Sequence, residues 1–308
     1  MTSTLTRRRF LTIAAAGGLC TAAGAATGPM AQWRGYALGA PASMKLVGLE
    51  ETESRSVFRA VELELARLER IFSLYRTDSE LVRLNTAGVL RNPAPEMLEL
   101  LSLCARLHDA TGGVFDPTLQ PLWRLLAMQG DAASPREIAD ARALIGWNAI
   151  MVSRESIRFD RPGMALTLNG VAQGYVTDRI KALLIARGLT DVLIDIGEVA
   201  ALGTRPDGAD WTVGIAMPDG RIVDRVTLRD RALATSSPGG TMLVPGQGLG
   251  HILDPRGTEG GPSHQLVTIS APQAAVADGL STAGCLLSSM ELRQAIGSFA
   301  HTALESTI

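Results

Sequence analysis

The spacing of hydrophobic positions predicts several amphipathic helices. Between residues 56 and 72, apolar residues recur every three or four positions and charged residues fill the rest, which indicates one buried helical face. Residues 95–111 repeat this pattern and end at Gly112-Gly113, a pair typical of a helix stop. Further helices are predicted at residues 77–84, with Thr77 or Asp78 as the N-cap, and at 135–146, 172–188 and 277–290.

Shorter apolar or alternating runs predict strands between these helices. They lie around residues 44–49 and at residues 165–169, 191–196, 211–217, 221–228, 231–235 and 266–270. The order of helices and strands shows no clear linker. It therefore predicts an α+β fold, a single compact domain with mixed sheets and a helical lobe inserted near residues 80–145.

The first residues have the pattern of an export signal. Thr6-Arg7-Arg8-Arg9-Phe10-Leu11 is a twin-arginine pattern, and a small, apolar stretch follows to Gly28. Cleavage sites are predicted at residues 23–25 and 29–31. The alternative is a membrane anchor, but the stretch is rich in Ala and Gly and barely long enough to span a bilayer. We therefore expect a signal peptide over residues 1–31, a domain over residues 32–308, a periplasmic location and no stable membrane insertion after cleavage.

Composition narrows the function. The chain has 308 residues, 46% of them hydrophobic, and a net charge of −2, with no basic run beyond its first residues. This argues against nucleic acid as a partner. Cys104 and Cys285 lie in apolar, helix-like segments; we expect buried free thiols, and a disulfide remains the alternative. No Cys/His spacing indicates zinc.

Small residues mark a candidate ligand site between the predicted strand at 165–169 and the helix after it. Asn169, Gly170, Ala172 and Gly174 allow a ligand to approach the backbone closely. Gly113-Val114-Phe115-Asp116-Pro117-Thr118 follows a helix stop and would hold a flat ligand, or form a plain glycine-rich turn. The residues alone leave both interpretations open.

Two further motifs carry chemistry. His251 and Asp254 lie three residues apart before a proline, and histidine is the side chain best suited to move a proton near neutral pH, although a lone histidine is more often structural. Asp278 and Thr282 lie four residues apart on one face of the last predicted helix. A carboxylate, a hydroxyl and a backbone carbonyl form the oxygen-rich ligand set that Mg²⁺ prefers. The alternative is a buried Asp with a hydrogen-bond partner inside the helix.

Taken together, the motifs resemble those of the FAD:protein FMN transferases of the ApbE family over about residues 36 to 295. Each motif is weak alone, and their shared order is specific. The matching segments are Thr77-Asp78-Ser79-Glu80 with Leu84-Asn85, Gly113-Val114-Phe115-Asp116-Pro117-Thr118, Asn169-Gly170-Val171-Ala172-Gln173-Gly174-Tyr175, Ala234-Thr235-Ser236, His251-Ile252-Leu253-Asp254-Pro255 and Ala277-Asp278-Gly279-Leu280-Ser281-Thr282.

The resemblance implies an Mg²⁺-dependent enzyme that cuts the pyrophosphate of FAD and transfers FMN to a Thr or Ser hydroxyl of a target flavoprotein. It implies that the Gly170 carbonyl joins Asp278 and Thr282 around Mg²⁺, and that His251 and Asp278 are catalytic, with His251 or a nearby carboxylate accepting the hydroxyl proton. The positions implied to contact FAD are Leu38, Tyr75, Val114, Phe115, Asp116, Thr167, Gln173, His251 and Ile252. Family members with twin-arginine signals include accessory proteins of nitrous oxide respiration, which this chain resembles.

The chain also departs from the family pattern. Thr167 stands where members often have Asp, and Gln173 stands where they usually have Lys or Glu. Asp195-Ile196-Gly197-Glu198 replaces a common Gly-Gly-Asp, which predicts a loop rearranged by about one residue. The loss of charge near FAD slightly favours an alternative function, a periplasmic FAD-binding carrier or chaperone without transfer activity. The intact Asp278 and Thr282 pair favours the enzyme.

Overall fold

The computed structural model describes residues 28–257 and 261–308. The twin-arginine pattern and the cleavage site predicted at residues 23–25 lie outside these residues. Within them, no helix has the length and apolar character needed to cross a bilayer.

The helices of the described residues are α1 (Glu51–Phe72), α2 (Glu80–Ala87), α3 (Pro95–Ala110), α4 (Gln120–Gln129), α5 (Pro135–Arg142), α6 (Ala172–Ala186), α7 (Ala274–Gly284) and α8 (Ser289–Gly297). Their strands are β1 (Met30–Ala37), β2 (Ala40–Val47), β3 (Val89–Arg91), β4 (Ile150–Val152), β5 (Ser156–Phe159), β6 (Val192–Asp195), β7 (Val199–Leu202), β8 (Trp211–Ala216), β9 (Ile222–Leu228), β10 (Arg231–Ser236), β11 (Met242–Val244), β12 (Leu249–Gly250), β13 (Val267–Ala271) and β14 (Ala303–Thr307).

A seven-stranded sheet in the order β1-β2-β6-β7-β10-β13-β14 forms the centre of the fold. Its neighbouring strands all run antiparallel. The α+β class is confirmed, but within the described residues the sheets are antiparallel rather than mixed. Short hairpin connections such as β1–β2 and β6–β7 explain this, since a tight turn joins only antiparallel neighbours.

Both faces of this sheet are buried, because successive side chains of a strand point to opposite sides. Ile194 on β6 and Ala200 on β7 pack with the helices in the largest hydrophobic cluster. Leu193 and Val199 point the other way and pack with Trp211 and other residues of the β8–β9 hairpin. The sheet is therefore covered by helices on one face and by a hairpin on the other.

Helices α2 to α5 occupy the segment predicted as a helical lobe, but α2 and α3 pack in the largest hydrophobic cluster, so only α4 and α5 form a separate lobe. Leu122 and Leu126 of α4 form a separate small core with Val244 and Leu253. Helix α4 was missing from the sequence prediction, as was the three-stranded sheet β3-β5-β4. The core around α4 places the segments after β10 and β12 beside the lobe.

Capping side chains set the helix starts. Helix α1 begins at Glu51, five residues before the prediction, because Glu50 and Glu53 form a capping box. Helix α2 is capped by Ser79, whose Oγ accepts the Val82 N–H at 3.1 Å. The prediction of Thr77 or Asp78 as the cap is therefore wrong; the Asp78 carboxylate instead pairs with Arg76 at 2.8 Å.

Two predicted elements differ in the structure. Residues 165–169 form no strand: the Asn85 amide and carbonyl exchange hydrogen bonds with the Leu166 backbone at 2.8 and 2.7 Å, and the Thr167 N–H donates to the Pro117 carbonyl. The helix predicted at 277–290 is two helices, α7 and α8, because a capping box of Ser288 and Glu291 starts the second. Cys104 and Cys285 are buried free thiols, as expected.

Candidate active site

One cleft collects every residue that the resemblance implied to contact FAD, to hold the metal or to act in catalysis. It encloses about 1370 Å³ of non-protein space, counting the solvent at its open side. The predicted residues on its lining are Leu38, Tyr75, Val114, Phe115, Asp116, Thr167, Gly170, Gln173, His251, Ile252, Asp278 and Thr282.

Asp278 is the buried carboxylate of this cleft. Its side chain lies on α7, the residue is 3% exposed, and Oδ2 accepts the Gly174 N–H at 3.0 Å. Burial raises the pKa of Asp278 to about 7; the Gly174 N–H partly offsets this, and the Asp178 charge adds to it. A carboxyl group poised near neutral pH in a cleft is a candidate functional group.

Helices α6 and α7 lie in close contact beside Asp278. A Cβ added to Gly174 would lie 2.5 Å from the Ala274 carbonyl oxygen, so only glycine allows this approach. Asp178, also on α6, accepts the N–H groups of Ala274 and Ala275 at 2.9 and 3.0 Å and so caps the start of α7. These contacts fix Asp278 relative to the loop that precedes α6.

Gly170 and Thr282 meet next to Asp278. A Cβ on Gly170 would lie 3.0 Å from Thr282 Cγ2 and 3.1 Å from Thr282 Oγ1, so the glycine lets the backbone touch this side chain. Thr282 Oγ1 is 3.3 Å from Ser236 Oγ. A carboxylate, hydroxyls and backbone thus converge, and this oxygen donor set suits Mg²⁺. The described residues contain no cluster of three or more His, Cys, Asp or Glu side chains suited to a metal.

Glu198 is a lining residue to which the sequence analysis gave no role. It is 5% exposed, and its Oε2 has no hydrogen-bond partner among the described residues. Burial raises the pKa of Glu198 well above its usual value, and the charges of Asp278 and Asp195 add to this effect. A glutamate inside the apolar run from Ile194 to Leu202 was the available sequence signal.

His251 follows β12 at the side of the cleft. Its Nδ1 lies 3.3 Å from the Thr241 carbonyl oxygen, and its backbone N–H donates to the same oxygen at 2.9 Å. Burial lowers the pKa of His251, and the carbonyls of Thr241 and Pro238 partly offset this. Asp254 does not line the cleft; its carboxylate pairs with Arg256 at 2.8 Å.

The loop of Val114, Phe115 and Asp116 forms a rigid wall. Asp116 Oδ1 accepts the Thr118 N–H at 2.8 Å and the Thr118 hydroxyl at 2.6 Å, and Oδ2 accepts the Trp147 N–H at 3.2 Å. All three residues of the loop are buried. Asp116 therefore shapes the loop through these hydrogen bonds.

Leu38 and Tyr75 contribute the outer part of the cleft. Leu38 has a positive φ of 49° in the β1–β2 turn, and its N–H donates to Glu69 Oε1 at 2.9 Å. A non-glycine residue in this region is uncommon and is held here by α1. Tyr75 is 58% exposed and lies at the rim.

Thr167 and Gln173, the neutral residues that stand where the family has charged ones, also line the cleft. The Gln173 side chain packs against Gly197, where a Cβ would lie 2.4 Å from Gln173 Nε2. Gly197 has a φ of 87°, a second reason for glycine there. Thr167 Oγ1 accepts the Asn169 N–H at 3.3 Å. Both side chains thus support the turns on either side of the α6 start.

The chain is similar in sequence and in structure to one family of known proteins. The profile described as the ApbE family matches residues 38–304. The FAD:protein FMN transferase of Klebsiella pneumoniae (strain 342) is 27% identical over 272 residues, which are 82% of this chain and 77% of the relative. That of Vibrio cholerae serotype O1 is 28% identical over 246 residues, 75% and 73% of the two chains. The apo structure of Pseudomonas stutzeri flavinyl transferase ApbE superposes with a TM-score of 0.76 at 27% identity, covering 87% of this chain and 88% of that one.

Proposed function

The chain belongs to the ApbE family, and we propose that it is an FAD:protein FMN transferase that uses Mg²⁺ to attach FMN to a Thr or Ser hydroxyl of a target flavoprotein. The observation that carries this proposal is the cleft itself. Side chains from the β1–β2 turn, the Val114 loop, the start of α6, the segment after β12, and α7 converge on it. Its relatives carry the same activity in their names.

We propose that the oxygens of Asp278, Thr282 and Gly170 hold the Mg²⁺. Gly170 touches Thr282, and Asp278 lies one helical turn before Thr282 on the same face. Asp278 is buried, no Lys or Arg is among the described residues that line the cleft, and a bound cation would compensate its charge. When bound, Mg²⁺ supplies positive charge that stabilises the phosphate oxygens of FAD during transfer.

The proposed transfer is a nucleophilic substitution at phosphorus. The acceptor hydroxyl oxygen attacks the phosphorus of the FMN half of FAD. The bond from that phosphorus to the bridging oxygen breaks, and AMP leaves with that oxygen and the electron pair. The proton of the hydroxyl passes to a base in the cleft, which leaves FMN joined to the target through a phosphoester.

We propose His251 as that base. The contact of its Nδ1 with the Thr241 carbonyl favours the tautomer with the proton on Nδ1. Nε2 then carries the lone pair that accepts the proton. Because burial lowers the pKa of His251, the imidazole is neutral at pH 7 and ready to act as a base.

We also propose that the protein works in the periplasm after export by the twin-arginine pathway and removal of its signal peptide. The pathway accepts folded proteins, so FAD would be loaded before export. Met30 and Ala31 pair with Val47 and Leu46 in the main sheet. This pairing favours cleavage at residues 23–25 over 29–31, since the latter would remove two residues of β1.

The decisive experiment measures transfer directly. Purified protein is mixed with FAD, Mg²⁺ and a Thr-containing fragment of a candidate target, and mass spectrometry follows both FMN on the fragment and free AMP. A fragment with Val in place of the acceptor Thr and a reaction with EDTA are the controls. The carrier function would be supported instead if the protein binds FAD but forms neither an FMN adduct nor AMP with fragments that a known relative modifies.

A further inference from the structure

We propose that Glu198 is a second carboxylate ligand of the divalent cation, in addition to Asp278. This inference rests on the proposed function and extends its metal site by a residue that lies outside the motifs shared with the family. It follows from the position of Glu198 in the cleft, the unpartnered Oε2 of its carboxylate and the way the chain holds it.

Glu198 is buried yet incompletely bonded. Only 5% of its surface is exposed, and no hydrogen-bond donor of the described residues reaches its Oε2. Buried polar atoms in native proteins almost always have a partner, and a missing one commonly marks the place of a water or an ion. Since Glu198 lines the same cleft as Asp278, the place for a partner of Oε2 is the cleft.

Glu198 and Asp278 are two buried carboxylates on the lining of one cleft. Two buried like charges are unfavourable unless a cation lies between them. No Lys or Arg is among the described residues that line this cleft. A divalent cation resolves this repulsion and supplies the partner that Oε2 lacks.

The chain holds Glu198 in a fixed position, as a metal ligand requires. It lies in the turn between β6 and β7, and the residue pair of the two strands next to this turn is Asp195 with Val199. Within that turn the Ile196 N–H donates to the Glu198 carbonyl at 3.1 Å. The Gln173 side chain packs on Gly197 and connects this turn to α6. These contacts hold the turn that carries Glu198 against the first residues of α6.

The experiment measures metal binding without FAD and without turnover. Mn²⁺, a spectroscopic substitute for Mg²⁺, is titrated into the purified, metal-free protein, and free Mn²⁺ is followed by electron paramagnetic resonance. Loss of supporting residues around a metal ligand typically costs about 10–100-fold in affinity. We therefore expect Glu198→Gln to weaken Mn²⁺ binding by at least about 10-fold.

The controls separate ligation from packing. Asp195→Asn removes a neighbouring carboxylate of the same turn that does not line the cleft, and it should leave the Mn²⁺ affinity within about 3-fold of wild type. Asp278→Asn should weaken binding at least as much as Glu198→Gln. Should Glu198→Gln fail to fold, Glu198→Asp keeps the charge but shortens the reach by one methylene, and the same weakening is expected.

Two results would overturn the inference in different ways. If wild type binds Mn²⁺, Asp278→Asn loses it and Glu198→Gln keeps it, Glu198 is no ligand while the proposed enzyme and its metal site stand. If wild type binds no Mn²⁺ with or without FAD, the metal dependence of the proposed function fails together with this inference.

Discussion

Replacing Asp278 with asparagine separates the energetic cost of burying a charged carboxylate from the proposed role of that carboxylate in binding Mg²⁺. Burial raises the pKa of Asp278 from 3.8 to about 7, so keeping the group charged in the metal-free protein costs about 4 kcal/mol at about 1.4 kcal/mol per pKa unit. The sign follows from linkage. The contribution of Asp278 to the free energy of unfolding is most favourable below about pH 4 and is lost as the pH rises through about 7.

The asparagine variant should therefore be more stable than wild type where wild type is charged. Without metal at pH 8 we expect its free energy of unfolding to be higher by about 2–4 kcal/mol, and near pH 4 we expect no difference. The amide oxygen retains the acceptor for the Gly174 N–H. Transfer should fall about 100- to 1,000-fold, the range for losing one group that stabilises charge in a transition state.

Urea unfolding at pH 4 and pH 8, with Mg²⁺ or EDTA, measures these changes beside an FMN transfer assay. Wild type should gain stability from Mg²⁺, about 2.7 kcal/mol at 100 times Kd, and the variant should not. Asp178 titrates in both proteins, so the comparison cancels most of its contribution. In the variant Glu198 loses the repulsion of the Asp278 charge, which acts in the same direction as the expected gain. Asp195→Asn is the matched control, because burial raises the pKa of Asp195 to about 6 outside the cleft. A variant that is less stable at pH 8, or that still transfers FMN, would refute the reasoning.

Three further predictions test other parts of the molecule. His251→Gln should lower the transfer rate about 10²- to 10⁴-fold and remove the decline that wild type shows as the pH falls through the lowered histidine pKa, while FAD affinity by fluorescence falls far less than the rate. Gly174→Ala places a Cβ 2.5 Å from a backbone oxygen of α7 and should lower the free energy of unfolding by about 1–3 kcal/mol in urea, whereas Gly297→Ala, with open space around it, should not. Arg7→Lys with Arg8→Lys should leave folded, FAD-binding protein in the cytoplasm on fractionation; normal export would contradict the signal.

The candidate site was predictable where residue type alone restricts the chemistry. His251, Asp278 and Thr282 stand out in the sequence because few side chains move protons or bind hard cations. Their convergence on one cleft needs the whole fold, and it was anticipated only through the resemblance of the motifs. Glu198 was missed because its burial and its unpartnered oxygen exist only in three dimensions.

The helices and strands show the same division. The hairpin of β8 and β9 was predicted well, since alternation and a Pro218-Asp219-Gly220 turn specify it locally. The backbone N–H and carbonyl of Leu166 form hydrogen bonds with the Asn85 side chain in place of a neighbouring strand. The spacing of hydrophobic residues does not indicate such a contact between distant parts of the sequence. Ser288 and Glu291 were a visible capping signal inside the last apolar run, and reading the run as one helix overlooked it.

The joined pair of α6 and α7 has a consequence for how such a protein diversifies. Gly174 and Asp178 bind the two helices together, and the groups that we assign to phosphate chemistry belong to this unit. Leu38 and Tyr75 also line the cleft but belong to a turn and a loop outside this unit. We therefore expect substitutions in these two segments to leave the reactive geometry of α6 and α7 intact, so that the outer part of the cleft can change in sequence separately from the reactive part.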